Sequence, residues 1–344
     1  MTVAVTPQRY LMTGAQGFIG RHLTSELLGG SQESTVLAVG RSAQNDSFFN
    51  YSLSCGNLKV PAKLPGYLCT MAAPKYRYVA VDLVSEAFSD IVADFRPTRV
   101  IHLAAALRGV TDVHLFQNNV QSTASLLRAI GRSNIEMLLF ASSGSVYGKQ
   151  TNFPIEESAL TAPLDSYSRS KLASEDLVMQ FARESSVPTA IARIFNAFGP
   201  GQDELHFAGR MAGQIACILA GKAGPSIRAG ALSSTRDFLD VRDISRALAL
   251  LVRSNLQGIF NVGSGTETRV YELLRTFLSS THAGGIQGKN ICIEADPTHV
   301  DPIPRHVANI NRLASNGFVP RYSLERSCEE MLTYARHLFP SPGV

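Results

Sequence analysis

The sequence predicts an α/β fold, built on a doubly wound parallel sheet and completed by a smaller C-terminal region. Short apolar segments alternate with longer amphipathic ones along the first half of the chain, as strands and crossover helices do in parallel sheets. A glycine-rich turn also joins the first predicted strand to the first predicted helix. In such sheets, ligands bind outside the carboxyl ends of the strands.

The glycine-rich turn lies between a predicted strand at 9–13 and a predicted helix at 19–28. Gly14, Gly17 and Gly20 occupy its first, fourth and seventh places. Glycines there permit a tight turn, let the backbone approach a pyrophosphate and allow close packing of helix on strand. The spacing differs from the Gly-x-Gly-x-x-Gly dehydrogenase fingerprint. A glycine-rich turn without a ligand is the alternative interpretation.

The second predicted strand, 35–39, ends in Gly40 and Arg41. An acidic residue at this point binds the ribose 2′-hydroxyl of NAD, whereas an arginine pairs with the 2′-phosphate of NADP. Arg41 therefore favours NADP, with NAD as the open alternative. A solvated loop arginine is the other interpretation.

Residues 43–76 have mixed composition and suggest no function. Their length exceeds that of an ordinary connection, so they are predicted to form either a surface insertion or a lid-like loop. Two more strands are predicted at 78–81 and 100–103, separated by a helix at 86–95. The first is followed by Asp82-Leu83, which is placed to meet an adenine ring. The second is followed by alanines, which leave room for a cofactor.

The strongest chemical signal lies between 137 and 175. A predicted strand at 137–141 delivers Ser142 and Ser143 to its carboxyl end, and Ser166 is predicted to cap a helix with Tyr167 and Lys171 on one face. A free phenol has a pKa of about 10, which a nearby ammonium lowers. A serine that holds a substrate oxygen then lets the tyrosine exchange a proton during hydride transfer. A Tyr-x-x-x-Lys pair alone also arises by chance on amphipathic helices.

Composition narrows the classes of function. The 344 residues suffice for one large domain or two. A dinucleotide-binding domain is predicted at 1–195, and residues 236–265 are expected to join it. The rest of 196–344 is predicted to be mainly a substrate-binding region. The net charge of +4 is small and dispersed, so nucleic-acid binding is not predicted. Because there is neither an apolar run long enough to span a membrane nor a secretory signal, a cytoplasmic location is expected.

Five cysteines are scattered along the chain without a Cys-x-x-Cys pair. This spacing argues against a metal site and against a disulfide framework. All five are therefore interpreted as packing residues.

Several motifs together resemble the extended short-chain dehydrogenase/reductases, the nucleotide-sugar epimerase and dehydratase family, over nearly the whole chain. In order, they are Gly14-x-x-Gly17-x-x-Gly20, Ile101-His102-Leu103-Ala104-Ala105, Ser142-Ser143-x-x-Val146-Tyr147-Gly148, Tyr167-x-x-x-Lys171, Arg193-x-x-Asn196-x-x-Gly199-Pro200, Arg236-Asp237-Phe238 and Asn261-Val262-Gly263-Ser264-Gly265. Within the family, the stretches around Ser143, Asn196 and Arg236 are most similar to the GDP-6-deoxy-4-keto-mannose reductase branch.

The resemblance implies a Rossmann-type sheet and a set of site residues. Ser143 is the implied catalytic serine, Tyr167 the acid/base, and Lys171 the residue that binds the nicotinamide ribose. The residues expected to bind the dinucleotide are Gly14, Gly17, Phe18, Ile19, Gly20, Arg41, Asp82, Leu83, Leu103, Ala104, Ala105, Tyr167 and Lys171. The residues expected to face a nucleotide-diphosphate sugar are Ser143, Asn196, Arg236 and Arg305, although either arginine is alternatively a structural ion-pair partner. The resemblance also implies a homodimer, formed through the helices around 112–131 and 166–182.

Family members that dehydrate or decarboxylate a sugar carry an acidic residue just after the catalytic serine or threonine, where this chain has Gly144 and Ser145. The resemblance therefore favours redox at a single carbon, by a nucleotide-sugar 4-ketoreductase using NAD(P)H. A 4-epimerase with tightly bound NAD is the alternative. A non-catalytic dinucleotide-sensing module is a second alternative, but the intact Ser143, Tyr167 and Lys171 weigh against it.

Overall fold

The apolar segments form strands and the amphipathic segments form helices in a computed structural model, which describes residues 8–29, 34–68, 75–131, 133–283, 291–296, 298 and 301–340. The strands are β1 (Arg9–Thr13), β2 (Thr35–Gly40), β3 (Phe48–Cys55), β4 (Leu58–Lys63), β5 (Tyr76–Ala80), β6 (Arg99–His102), β7 (Met137–Ser143), β8 (Thr189–Ile194), β9 (Asn196–Phe198), β10 (Ser226–Ala229), β11 (Thr235–Arg236), β12 (Phe238–Asp240), β13 (Gly258–Val262), β14 (Thr268–Arg269), β15 (Cys292–Ala295) and β16 (Arg305–His306). The α-helices are α1 (Phe18–Gly29), α2 (Glu86–Phe95), α3 (Asp112–Phe116), α4 (Ser122–Ile130), α5 (Ser166–Ser185), α6 (Phe207–Leu219), α7 (Val241–Arg253), α8 (Val270–Ala283), α9 (Asn311–Ala314) and α10 (Leu324–Leu338).

The central sheet has seven strands in the order β13-β8-β7-β6-β1-β2-β5. Every neighbouring pair in it is parallel. The chain runs outward from β1 in one direction through β2 and β5, and in the other direction through β6, β7, β8 and β13. The predicted α/β fold class is confirmed. The reversal of strand order beside β1 creates the crevice at which such sheets bind ligands.

Helices cover both faces of this sheet, which explains its unbroken apolar strands. On one face, α1 and α7 contribute Leu23 and Leu248 to a buried cluster. On the other face, Phe88 of α2, Leu126 of α4 and Val178 of α5 lie in a second cluster. Both faces of the sheet are therefore covered by helices, so a ligand-binding site is expected at the carboxyl edge of the strands.

A further core holds the C-terminal region together. It contains Met211 of α6, Phe277 of α8 and Leu332 of α10. Two short strands of this part of the chain, β11 and β16, run parallel, and β14 pairs with β11 on its other side. β13 joins the central sheet beside β8. The division of the chain at residue 195 stays a prediction. Within the described ranges, no helix is long and apolar enough to cross a membrane.

Residues 43–76, for which only an insertion or a lid-like loop was expected, contain an antiparallel hairpin, β3 and β4. The hairpin packs on the C-terminal core through Phe49 and Leu53, which are buried in it. The interpretation of all cysteines as packing residues is wrong for one pair, because Cys55 of the hairpin forms a disulfide with Cys217 of α6. The two residues are 162 positions apart in sequence, so only the docked hairpin brings them together. Cys69 lies outside the described residues.

The helix predicted at 112–131 is divided. A π-helical segment, Gln117–Gln121, separates α3 from α4. π-bulges of this kind often accompany functional sites. Here the segment carries the buried side chain of Asn119. Most other predicted boundaries differ from the observed ones by one or two residues, as helix and strand ends commonly do.

Candidate active site

The glycine turn forms a close-packed cradle between β1 and α1. Gly14 has a φ of +72°, and a Cβ there would lie 2.7 Å from the backbone nitrogen of Ala104. A Cβ at Gly20 would overlap the carbonyl oxygen of Gly14. The first-turn N–H groups of a helix, here those of Phe18 and Ile19, have no partner within the helix and attract anions. The turn therefore fits the pyrophosphate of a dinucleotide.

The residues expected near the adenosine lie beyond the neighbouring strands. Arg41 directly follows β2, is exposed, and donates a hydrogen bond to Oδ1 of Asn118. Asp82 follows β5 and accepts a hydrogen bond at 3.0 Å from the backbone nitrogen of Val84. Leu83 is buried. Arg41, Asp82 and Leu83 all lie at the carboxyl edge of the sheet. The strands that they follow, β2 and β5, are both on the same side of β1.

The loop after β6 is fixed by a residue whose role the sequence did not reveal. Oδ1 of Asn119 accepts a hydrogen bond at 2.7 Å from the backbone nitrogen of Ala106. Nδ2 of Asn119 donates to the carbonyl oxygen of Ala106 at 3.2 Å and to Oγ of Ser170 at 2.9 Å. The loop that contains Leu103, Ala104 and Ala105 is thereby tied to α5. The π-helical segment that aims Asn119 inward leaves no periodic mark in the sequence.

Ser143 and Tyr167 meet at the end of β7. The hydroxyl of Ser143 faces the phenol of Tyr167. The cap of α5 is Asp165, whose side chain accepts a hydrogen bond at 2.7 Å from the backbone nitrogen of Ser168, so the prediction of Ser166 as the cap is wrong by one residue. Burial raises the pKa of Tyr167, while the charge of Arg108 and the nearby hydroxyl of Ser143 act to lower it. Oγ of Ser143 also lies 2.9 Å from Oγ of Ser145. The structure thus brings the predicted serine and tyrosine together.

Lys171 lies one helical turn after Tyr167 and is buried. Its Nζ donates a hydrogen bond at 2.8 Å to the carbonyl oxygen of Ala141 and lies 5.1 Å from the ring centroid of Phe140. Burial lowers the pKa of Lys171 to about 8, against the opposing charge of Glu175, which raises it. The ammonium of Lys171 is thus held against β7, two residues before the strand ends at Ser143.

A second cation, Arg108, lies over the tyrosine. Its guanidinium carbon is 4.6 Å from the ring centroid of Tyr167, and its Nε donates to Oδ2 of Asp165 at 2.7 Å. The sequence suggested only Lys171 as the cation that tunes the phenol. Arg108 was missed because it lies in an irregular loop, where no periodicity indicates which side chain faces the site.

The other predicted substrate residues, Asn196, Arg236 and Arg305, lie on the short strands β9, β11 and β16. Nδ2 of Asn196 donates to the carbonyl oxygen of Asp237 at 3.0 Å. Arg236 and Arg305 lie on the adjacent parallel strands β11 and β16. Arg236 is paired with Asp301, and Arg305 is paired with Glu267 at 2.7 Å. Both arginines therefore have carboxylate partners in this structure.

His306 connects these strands to the serine. Its ring stacks on Phe195 with centroids 4.5 Å apart, and its Nε2 lies 3.0 Å from the carbonyl oxygen of Gly144. Burial lowers the pKa of His306 to about 4, so the ring is neutral at ordinary pH. A neutral imidazole in this position donates to the carbonyl oxygen and fixes β16 against the residue that follows Ser143.

A family model matches most of the chain, including the segments that carry the glycine turn, Ser143, Tyr167 and Lys171. The model of the NAD-dependent epimerase/dehydratase family matches residues 10–263. The chain belongs to this family. Its relatives include the GDP-6-deoxy-D-mannose reductase of Pseudomonas aeruginosa, which is 31% identical over 275 residues, or 78% of each chain.

Solved structures of the family superpose on nearly the whole chain. The structure of RMD from Pseudomonas aeruginosa complexed with NADPH has a TM-score of 0.75 and 26% identity, and covers 96% of this chain and 99% of its own. The UDP-glucose 4-epimerase of Thermus thermophilus complexed with NAD has a TM-score of 0.76 and 25% identity, and covers 96% of this chain and 99% of its own. The predicted family and the prediction of an NAD(P)-dependent short-chain dehydrogenase/reductase are confirmed. The cofactor class is a nicotinamide dinucleotide.

Proposed function

We propose that this enzyme reduces the 4-keto group of a nucleotide-linked 6-deoxyhexose, using NADPH. The observation that carries the proposal is the meeting of Ser143 and Tyr167 at the carboxyl edge of β7, beside the glycine cradle. The 31% identity to a GDP-6-deoxy-D-mannose reductase supports the reductase and the sugar class. Further support comes from a structural relative that holds NADPH.

The residues of the site suit the protonation of a carbonyl oxygen. A reduced nicotinamide dinucleotide held at the turn of Gly14, Gly17 and Gly20 would supply a hydride to the carbonyl carbon. The hydroxyl of Ser143 donates a hydrogen bond to the carbonyl oxygen, while Ser145, 2.9 Å away, holds the orientation of Ser143. Tyr167 gives its proton to that oxygen as negative charge develops there. Ketone, hydride and proton together yield the alcohol, and the phenolate is re-protonated from solvent.

Elimination chemistry is disfavoured by packing as well as by sequence. A Cβ at Gly144 would lie 3.0 Å from Cε1 of His306 and 3.0 Å from the ring of Phe195. A carboxylate side chain directly after Ser143 therefore has no space unless both rings move. Without such a group, proton exchange at the carbon next to the carbonyl has no evident base, and this supports redox at one carbon only.

A second function, epimerisation at C4, is favoured by the likeness to the UDP-glucose 4-epimerase that holds NAD. Reductase and epimerase need the same serine and tyrosine. They differ in whether cofactor is consumed. Purified protein given NADPH and a nucleotide-linked 4-keto-6-deoxyhexose is expected to oxidise one NADPH per ketone. Purified protein that already carries NAD, and interconverts two sugar epimers without net oxidation, would establish the epimerase instead.

Arg41→Ala is expected to weaken NADPH binding about tenfold and to leave NADH binding nearly unchanged. The reason is that Arg41 follows β2, where the adenosine ribose of a dinucleotide lies, and an arginine pairs with a 2′-phosphate. Arg77→Ala removes another exposed arginine, on β5, and serves as the control. Fluorescence titration with both cofactors measures the effect. Equal loss of NADPH and NADH affinity would remove Arg41 from the choice of cofactor.

Ketone reduction is expected to slow as pH rises through about 8, the value to which burial lowers the pKa of Lys171. Below this pH the ammonium of Lys171, one helical turn from Tyr167, is charged, and a cation near a phenol favours its phenolate form. Above it that charge is lost. The pH dependence of kcat/KM reports groups of the free enzyme, and in Lys171→Arg the alkaline fall should move to higher pH. A wild-type profile that stays flat well above this point would contradict the assignment.

The proposal includes a homodimer through α4 and α5, with the neighbouring α3. Support comes from large apolar side chains that are exposed on α3, Val113 at 65% and Phe116 at 43%. They are three residues apart and so share a helix face. A two-fold contact between copies would cover both.

A further inference from the structure

The acid of the candidate site is buried, whereas the reduction of a ketone takes up one proton from solvent in every turnover. Tyr167 is 9% exposed, and the guanidinium carbon of Arg108 lies 4.6 Å from its ring centroid. Lys171 is also buried, and the hydrogen bond described for its ammonium ends on the carbonyl oxygen of Ala141, which has no proton to pass on. A path from the phenol to solvent is therefore expected among the polar side chains around it.

A row of hydroxyl groups leads away from Ser143. Its Oγ lies 2.9 Å from Oγ of Ser145, and Oγ of Ser145 lies 2.9 Å from Oγ of Ser168. Oγ of Ser168 lies 2.7 Å from Oδ1 of Asp165. All three distances are those of ordinary O–H···O hydrogen bonds. These four residues, here called the hydroxyl chain, connect the serine that faces Tyr167 to a carboxylate.

The outer end of the hydroxyl chain lies at the protein surface. The side chain of Asp165 is 44% exposed, and it pairs at 2.7 Å with Arg108, whose side chain is 57% exposed. Ser168, the next member inward, is only 2% exposed. Solvent therefore reaches the carboxylate directly, and the hydroxyl of Ser168 connects it to the interior.

The starts of two helices bring the hydroxyl chain together. Ser143 caps a one-turn 3₁₀ helix, Gly144–Tyr147, by accepting a hydrogen bond at 3.2 Å from the backbone nitrogen of Ser145. Asp165 caps α5 in the same way, and α5 packs against this turn. Neither cap requires the hydroxyl groups of Ser145 and Ser168 to meet. Their contact is thus not explained by the capping of either helix.

The contacts of the hydroxyl chain suit the transfer of a proton. A serine hydroxyl has one proton to donate and lone pairs that accept. Ser168 is within hydrogen-bond distance of both neighbours, so its proton points either outward to Asp165 or inward to Ser145. The hydroxyl groups of Ser143 and Ser145 can likewise donate in either direction. A proton that enters at Asp165 therefore has a continuous path to Ser143.

We propose that the hydroxyl chain delivers the proton that restores Tyr167 after each reduction. Ser143 gives its proton to the phenolate of Tyr167 and takes one from Ser145. Ser145 takes one from Ser168. Ser168 takes one from Asp165, which receives it from water or from a buffer acid at the surface. Each O–H bond that breaks is replaced by one that forms, so the net change is the uptake of one proton, and no electrons are transferred.

This inference rests on the proposed function, because only net reduction consumes a proton in each cycle. A 4-epimerase takes a proton from one alcohol and returns one to its epimer, so it has no net need for solvent protons. The members of the hydroxyl chain beyond Ser143 act through that serine. They are therefore expected to affect repeated turnover rather than the first reduction, for which Tyr167 is already protonated.

Ser168→Ala interrupts the middle of the hydroxyl chain. The rate of NADPH oxidation in a single turnover, with enzyme in excess over the nucleotide-linked ketone, should stay within about threefold of wild type, while steady-state kcat should fall at least about tenfold. Excess ketone should then give a rapid oxidation of one NADPH per site, followed by a slow phase. Ser166→Ala removes a hydroxyl from the same turn of α5, one described as accepting only from Arg169, and should leave both rates close to wild type.

Asp165→Asn tests the outer end of the hydroxyl chain. Asparagine retains the cap of α5 and an acceptor for Ser168, but its amide does not pass on a proton. Steady-state kcat should again fall at least about tenfold. Imidazole buffer, whose protonated form donates at the surface, should restore kcat as its concentration rises and should leave wild-type kcat unchanged. A residue with a merely structural role would not be replaced by a buffer acid.

The outcomes separate this inference from the proposed function. Wild-type kcat in both folded variants means that the proton arrives by another route, and overturns the relay alone. An equal fall of the single-turnover and steady-state rates, without rescue by imidazole, means that Ser168 and Asp165 only position Ser143, and also overturns it. Wild-type protein that never oxidises NADPH with such a ketone rejects the reductase, and the relay with it. Thermal unfolding checks the fold of each variant, and Asp165→Asn decides the question if Ser168→Ala does not fold.

Discussion

Tyr167→Phe is expected to lower kcat for ketone reduction by about 10²–10⁴, the usual contribution of one positioned general acid. The phenylalanine ring retains the packing of the buried tyrosine and its contact with Arg108, which lies 4.6 Å from the ring centroid. Only the proton donor beside Ser143 is lost. Because Gly14, Arg41 and Lys171 are untouched, the Kd for NADPH should change little.

The matched control for this variant is Tyr334→Phe. It also removes one phenolic hydroxyl. Tyr334 lies on α10, far from Tyr167 in sequence, and its hydroxyl donates to the carbonyl oxygen of Lys63 at 2.7 Å. Its activity should remain close to that of the wild type. Single-turnover measurement of NADPH oxidation isolates the chemical step from product release. A folded Tyr167→Phe protein with most of its activity retained would show that another group supplies the proton.

Glu175→Gln is expected to lower the free energy of unfolding by about 3–5 kcal/mol, as breaking a buried ion pair does. The carboxylate of Glu175 is fully buried and accepts a hydrogen bond at 2.7 Å from Arg193, whose side chain is 5% exposed. Ser142 donates to the same carboxylate. A glutamine keeps the shape of this contact but leaves the guanidinium of Arg193 without a countercharge in the core.

Asp176→Asn is the control, since it removes the same charge from the next residue of α5, which is exposed. It should change stability by less than about 0.5 kcal/mol. Urea denaturation of both variants, followed by circular dichroism, gives the comparison. A loss below about 1 kcal/mol in Glu175→Gln would mean that water or another group compensates Arg193. Because the charge of Glu175 raises the pKa of Lys171, its removal should also move the alkaline fall of ketone reduction to lower pH.

Features that depend on residues close together in the chain were predictable from the sequence alone. The spacing of Gly14, Gly17 and Gly20 reports a turn of fixed geometry, and the alternation of apolar and amphipathic segments reports a parallel sheet. Tyr167 and Lys171 share a helix face because four residues make about one turn. Together these patterns determined the fold class and the centre of the candidate site, and they indicated the family.

Features that depend on contacts between distant segments were decided only by the tertiary structure. Nothing near Arg108 in sequence shows that it lies over Tyr167, and Asn119 acquires its role from a π-helical segment with no periodic signature. Cys55 reaches Cys217 only because Phe49 and Leu53 dock the hairpin on the C-terminal core. Local periodicity specifies which face of an element is buried. It does not specify which distant segment covers that face, since this depends on the packing of the whole chain.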